Sequence, residues 1–164
     1  MTFSPRARVF WPLLAVALTT DCTTKELADH YLQPENVPHD VVGSVVRLTL
    51  AHNPYAGMGL SFGAYSRVAI SCVVILCIVF LGRMYRATPP AGRLRAAALA
   101  LVMAGAVGNL ISRLVSGAGV TDFLDVGFGR WRFYTFNVAD ISVFCGAVLL
   151  LRALNDTAEP PHVR

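Results

Sequence analysis

The chain has 164 residues, 55% of them hydrophobic and 15% charged, with a formal net charge of +4. Soluble domains carry about 25% charged residues, so with a mean hydropathy of +0.55 the composition excludes an ordinary soluble protein and reads as one integral membrane domain over residues 1–164. A nucleic-acid binder is excluded too: the arginines stand at the ends of apolar runs, as membrane topology asks, and form no basic stripe with aromatics.

The first apolar run, Val9 to Thr20, leads into Asp21 and Lys25 at i, i+4 spacing. A helix over about 9–28 is predicted, long enough to span with its ionic end at the interface. Arg6, Arg8, the apolar stretch and Cys22 imitate a cleaved signal. Asp21 stands where such a cut needs a small residue, so the segment reads as a retained helix. Val45 to Leu50 alternates, with Val46, Leu48 and Leu50 opposite Arg47 and Thr49, which predicts a strand. The turn-prone Asn53-Pro54 and the glycines Gly57, Gly59 and Gly63 follow it.

Val68 to Gly82, between Arg67 and Arg83, predicts a second span at 67–85, and Pro89-Pro90 a turn. Ala96 to Ser112, between Arg95 and Arg113, predicts a third at 94–114, in which Ala104, Gly105 and Gly108 admit another helix closely. Gly127-Phe128-Gly129 closes a hairpin between the Asp122 region and Trp131 to Tyr134. Phe133 to Leu151, interrupted by Asp140 and ended by Arg152, predicts a fourth span at 133–152, before a polar tail from Ala153 to Arg164. The expected fold class is an all-α membrane protein, with four transmembrane helices and a small extracytoplasmic β-sheet over the helix ends. Trp131 and Tyr134 suit the headgroup level. Arg6 and Arg8, Arg83 to Arg95, and Arg152 with Arg164 share one side, which places both termini in the cytoplasm and Asp21, Asp122 and Asp140 at the outer face.

Cys72, Cys77 and Cys145 lie in apolar runs, and Cys22 stands alone; with no CxxC pair and scattered histidines (His30, His39, His52, His162), no metal or redox cofactor is expected. The chemistry points to carboxylates. An acid at the mouth of a membrane-length segment is costly and usually functional, and two that converge can share a proton and activate water. Asp122 and Asp140 are the candidates; the bland alternative makes one a loop acid and the other a helix N-terminal acid facing the dipole. Asn109 and Asn137 are amides that bridge helices or position backbone. Arg113 meets an outer acid or a lipid phosphate, and Asp21 with Lys25 forms a local ion pair.

These residues carry a resemblance. Asp21-Cys22-Thr23-Thr24-Lys25 fits the D-x-x-x-K of signal peptidase II, the bacterial lipoprotein signal peptidase family, and His52-Asn53-Pro54 with its glycines takes the place of that family's Asn-x-Gly segment. Gly108-Asn109-Leu110-Ile111-Ser112-Arg113 resembles its G-N-x-x-D-R block, with Ser112 where the family has aspartate. Val120-Thr121-Asp122-Phe123 and Phe136-Asn137-Val138-Ala139-Asp140 resemble the two blocks holding its catalytic aspartates. The stretch from Asn53 to Leu60 is longer than the family's Asn-x-Gly-Ala-Ala-Phe. The resemblance implies a cofactor-free aspartic endopeptidase of the bacterial inner membrane, working as a monomer among membrane lipids. It would cut diacylglyceryl-modified prolipoproteins before the lipidated cysteine. Asp122 and Asp140 would be catalytic, with Asp21, Lys25, Asn53, Gly57, Asn109, Arg113, Asn137 and Ala139 binding substrate or supporting the site. Asp125, three residues after Asp122 and on the opposite face of an extended strand, is the other candidate for the dyad; the resemblance chooses Asp122, and Asp125 is then read as a solvated turn acid or an ion-pair partner of Arg130 or Arg132. The competing readings are an inactive homologue that binds lipidated peptides, and a small proton-coupled transporter.

Overall fold

The computed structural model describes residues 3–54 and 66–155. The elements are α1 (Pro5–Tyr31), β1 (Pro38–Val42), β2 (Val46–Asn53), α2 (Ser66–Ala87), α3 (Arg93–Val115), β3 (Val120–Phe128), β4 (Trp131–Arg132) and α4 (Val138–Asn155). Among them α2, α3 and α4 are long and apolar enough to cross a membrane, with mean hydropathies of 2.4, 1.8 and 1.7. The expected first span, α1, is the longest helix at 27 residues but does not reach that standard, because polar residues from Thr19 to Glu26 interrupt its second half.

Helix α3 is the centre of the bundle and packs against α1, α2 and α4. Its buried face is Ala96, Ala98, Leu99, Ala100, Ala104, Gly105 and Gly108, and such small side chains let neighbouring backbones come close. A Cβ on Gly105 would lie 2.3 Å from the Ala139 carbonyl oxygen, and one on Gly108 2.3 Å from Asp21 Oδ2. The glycines thus admit the start of α4 and the polar half of α1.

At the other end of the bundle, Phe10, Leu81, Ala96, Leu99 and Ala100 form a core with Leu150 against it. Phe10 stacks on Tyr85 with ring centroids 3.9 Å apart. The Arg6 guanidinium donates to the carbonyls of Tyr85, Arg86 and Thr88, at the C-terminal end of α2 and just beyond it, where carbonyls lack helical partners and the dipole favours a cation. The Arg6 backbone N–H donates to Pro90 at 2.9 Å. The start of α1 and the α2–α3 turn, which holds Pro89-Pro90 as expected, therefore share one end of the bundle.

The sheet is antiparallel with order β1-β2-β3-β4. The strand expected at 45–50 is β2, which runs on to Asn53; the exposed β1 beside it was not anticipated. The β3–β4 hairpin turns at Gly129 in the left-handed region (φ +54°), a conformation glycine adopts without strain. Two expectations need correction. Residues 133–137, expected to open the fourth helical span, are not helical. Phe136 pairs with β3 through Phe123 N–H (3.0 Å) and Leu124 N–H (2.8 Å) to its carbonyl and through its own N–H to Leu124 (3.0 Å), so sheet pairing holds the segment until Asn137 caps the helix. Ala153 to Asn155, assigned to the tail, complete α4. A second core of Ala28, Leu50 and Phe123, with Leu32, Leu48, Leu124 and Val138 against it, fastens the sheet to the end of α1 and the start of α4. Gly57, Gly59, Gly63 and the tail beyond 155 lie outside the described residues.

Candidate active site

The site is assembled at the N-terminus of α4. Asn137 is its N-cap: Oδ1 accepts the Asp140 N–H at 3.0 Å, while Asp140 Oδ2 accepts the Asn137 N–H at 3.1 Å. This reciprocal pair is a capping box that occupies two otherwise unpaired donors. A third donor, the Ala139 N–H, goes to Asp21 Oδ1 at 2.8 Å. The acid from α1 thereby caps α4 across the approach that Gly108 leaves open. The bland reading of Asp140, an acid in the first turn of a helix, is geometrically true, yet its other oxygen reaches further. Asp140 Oδ1 accepts Asn109 Nδ2 at 2.9 Å.

Behind Asn109 stands the expected ion pair. Lys25 Nζ lies 2.8 Å from Asp21 Oδ2 and donates to Asn109 Oδ1 at 2.8 Å. Asp21 and Lys25 are 1% and 5% exposed, where a charge pair is tolerable only if its remaining hydrogen-bonding capacity is met; Ala139 N–H and Asn109 meet it.

Asp122 arrives from β3. Its Oδ1 accepts Asn137 Nδ2 at 2.7 Å, and its Oδ2 accepts Asn53 Nδ2 from β2 at 3.4 Å. Asn137 thus hydrogen-bonds to both carboxylates, by its side chain to Asp122 and by its backbone to Asp140. Asp125, three residues on, faces the other way, as alternation requires. It accepts Thr49 Oγ1 at 3.2 Å and pairs with Arg132. At 8% exposure in mid-strand, Asp125 is not a solvated turn acid; of the expected alternatives, the ion pair with Arg132 is the one formed.

Asp122, Asp140, Asn53, Asn109 and Arg113 line a cleft of about 430 Å³, whose apolar wall includes Val120, Phe133 and Phe136. Arg113 donates to the Asn109 carbonyl at 3.1 Å, and its charge acts on Asp122 and Asp140. Burial pushes the Asp122 carboxyl up to about 6; the Asp140 charge adds to this, against the Asn137 and Asn53 amides and Lys25. Asp21, Lys25, Asn137 and Ala139 do not line the cleft but hydrogen-bond to the elements that do, and Gly57 lies outside the described residues. Among the described residues, no three His, Cys, Asp or Glu side chains are placed to hold a metal. Nothing local in the sequence marks Phe133 and Phe136 as cleft wall, since their apolar run also suits a helix, and no local signal announces the contacts of His52.

A helical bundle with three membrane-length helices, meeting a small sheet at a carboxylate-bearing cleft, defines a multi-pass membrane protein with the makings of an enzyme site. The chain belongs to the signal peptidase II family: the family described as Signal peptidase (SPase) II matches residues 13–155. Proteins named lipoprotein signal peptidase are similar to it along most of their length. That of Yersinia pseudotuberculosis is 37% identical over 154 residues (88% of this chain, 84% of the relative). That of Rhodococcus jostii is 34% identical over 165 residues (97% and 78%), and that of Moorella thermoacetica 37% over 142 residues (86% and 89%). Two bacterial membrane enzymes solved by the in meso method share the fold. One superposes with a TM-score of 0.81 at 22% identity, covering 93% of this chain and 92% of its own; the other gives 0.75 at 24%, covering 87% and 89%.

Proposed function

We propose that this chain is a lipoprotein signal peptidase of the aspartic type, with Asp122 and Asp140 as its dyad. The observation that carries the reading is Asn137, hydrogen-bonded to both carboxylates beside one cleft. In the mechanism, Asp122, whose carboxyl holds its proton up to about 6, donates to the oxygen of the scissile carbonyl. Asp140 as carboxylate takes a proton from water, and the resulting hydroxide adds to the carbonyl carbon. When the tetrahedral adduct collapses, the C–N bond breaks and the proton on Asp140 passes to the leaving cysteine amine. The signal peptide leaves as a carboxylic acid, and Asp122 recovers its proton from the diol hydroxyl. Asn109 and Asn137 fix Asp140, Asn137 and Asn53 fix Asp122, and Arg113 offers its charge to both.

The substrate is a diacylglyceryl-modified prolipoprotein, cut before the lipidated cysteine. Its acyl chains hold the scissile bond at one depth, which supplies proximity. The whole chain acts as one domain and as a monomer in the bacterial inner membrane, with α1 as the fourth span. The termini lie in the cytoplasm, and the sheet and cleft at the outer face. Ser112, where the family has aspartate, turns back to the Gly108 carbonyl at 3.3 Å and leaves the dyad contacts intact. The deciding experiment is cleavage by detergent-solubilised enzyme. Diacylated prolipoprotein is cut and its unmodified precursor is not. Asp122→Asn and Asp140→Asn stay folded but inactive, while Asp125→Asn keeps most activity. Normal cleavage by all three variants sinks the aspartic reading, and a dead Asp125→Asn beside an active Asp122→Asn sinks the assignment.

A further inference from the structure

On the strands that carry Asn53 and Asp122, at the border of the cleft, lies a second polar cluster that the mechanism does not use. His52 Nδ1 is 2.7 Å from Glu35 Oε1, and His52 Nε2 is 3.0 Å from Asp29 Oδ1. Asp29 Oδ2 accepts Thr121 Oγ1 at 3.1 Å. His52 and Thr121 are cross-strand partners of β2 and β3, so one carboxylate near the end of α1 ties two neighbouring strands at the same rung. Asn53 and Asp122 each follow by one residue, and alternation turns them to the opposite face, into the cleft. There the amide of Asn53 reaches Asp122 at 3.4 Å, the long limit of a hydrogen bond, where a small shift of the strand end breaks it.

The two carboxylates are open to solvent, at 38% and 44% exposure, but the groups they hold are not. Thr121 is buried at 3% exposure, the His52 side chain is 15% exposed, and both ring nitrogens face carboxylates. Only the doubly protonated ring donates to both at once. The charged groups facing His52 are Asp29 from α1 and Glu35 from the segment after it. Those acting on Asp122 are Asp140 from α4, Lys25 from α1 and Arg113 from α3.

We propose that His52 is a positioning residue for the peptidase reaction: held between Asp29 and Glu35, it fixes the end of β2 so that Asn53 stays on Asp122. The inference rests on the aspartate dyad proposed above. It extends the catalytic support to α1 and the segment that follows it, through a side chain that itself borders the cleft.

The test uses the full-length enzyme in detergent with a diacylated prolipoprotein, a pH profile of kcat and a thermal melt for each variant. His52→Ala is expected to lower kcat on the order of tenfold, the scale of a sub-ångström misplacement, with KM unchanged. Its alkaline limb moves to higher pH, because the Asn53 amide that restrains Asp122 is loosened. His52→Arg, a permanent cation with a fork of donors, restores rate and limb. A lower melt with wild-type kcat and an unmoved limb in His52→Ala means a merely structural role and overturns the proposal. If His52→Ala fails to fold, Thr121→Val removes only the hydroxyl on the same Asp29. Its limb is expected to move the same way, and an unmoved limb overturns the proposal. Activity in Asp122→Asn overturns the dyad and this inference with it; a wild-type profile in His52→Ala beside an inactive Asp122→Asn overturns this inference alone.

Discussion

Asn137 is fully buried and uses its amide on both sides. Oδ1 caps α4 at Asp140, and Nδ2 reaches Asp122, Asn109 and the Thr121 carbonyl. Asn137→Ala is expected to cost roughly 1–2 kcal/mol for the lost cap alone. It also removes a donor that holds the Asp122 carboxyl down, so the alkaline limb of cleavage moves to higher pH as the melt falls; a lower melt with a fixed limb counts against that link. Asp122 itself makes the fold pay for its position. Its ordinary value is 3.8 and its folded value about 6, so between these the folded state binds the proton that the unfolded chain releases. Stability therefore falls as pH rises through that window and stays lower above it, by up to about 3 kcal/mol. Asp122→Asn should melt above the wild type at neutral pH, with the advantage shrinking as pH falls below 6. Melts across that range measure it, and a gap independent of pH contradicts the burial argument.

At the scale of elements, the contact that matters is α3 against the first turn of α4. Gly105 faces the Ala139 carbonyl, and backbone cannot step aside as a side chain tip can. Gly105→Ala is expected to push the start of α4 away, at a cost of roughly 1–3 kcal/mol. It carries Asp140 off Asn109 and lowers kcat well beyond what the melt explains. Gly82, whose added Cβ meets nothing within 4 Å, is the control, since alanine there leaves cleavage unchanged. Normal kcat in Gly105→Ala would show that α4 has slack.

For the whole molecule, the two polar ends of the bundle are chemically distinct. One holds Arg6 on the end of α2 and the α2–α3 turn; the other holds the Asp21–Lys25 pair, the cleft and the sheet. The basic residues Arg83, Arg86, Arg93 and Arg95 lie at the first end, and in the proposed topology that end faces the cytoplasm by the positive-inside bias. Reporter fusions at Pro89 and Gly127 are expected to label opposite sides of the membrane. Both on the same side would refute α1 as a fourth span and the outward placing of the cleft.

The sequence by itself determined the apolar runs, and so the three membrane-length helices, because hydropathy and period are local. It also marked Asp140 as an acid at the head of a helix, the β3–β4 hairpin through Gly127 to Gly129, and small residues in α3 as points of close approach. Spacing alone did not choose between Asp122 and Asp125; the family resemblance did. Only the tertiary structure decided what each acid touches: Asp125 on Arg132, Asp122 on Asn137 and Asn53, Asp21 on the Ala139 N–H 118 residues away. It likewise decided that Phe136 pairs with β3 rather than continuing a helix, and that His52 meets Asp29 and Glu35. The physical reason is range. An apolar stripe declares its own burial, but a hydrogen bond between distant segments depends on strand register and helix approach, which the whole packing sets at once.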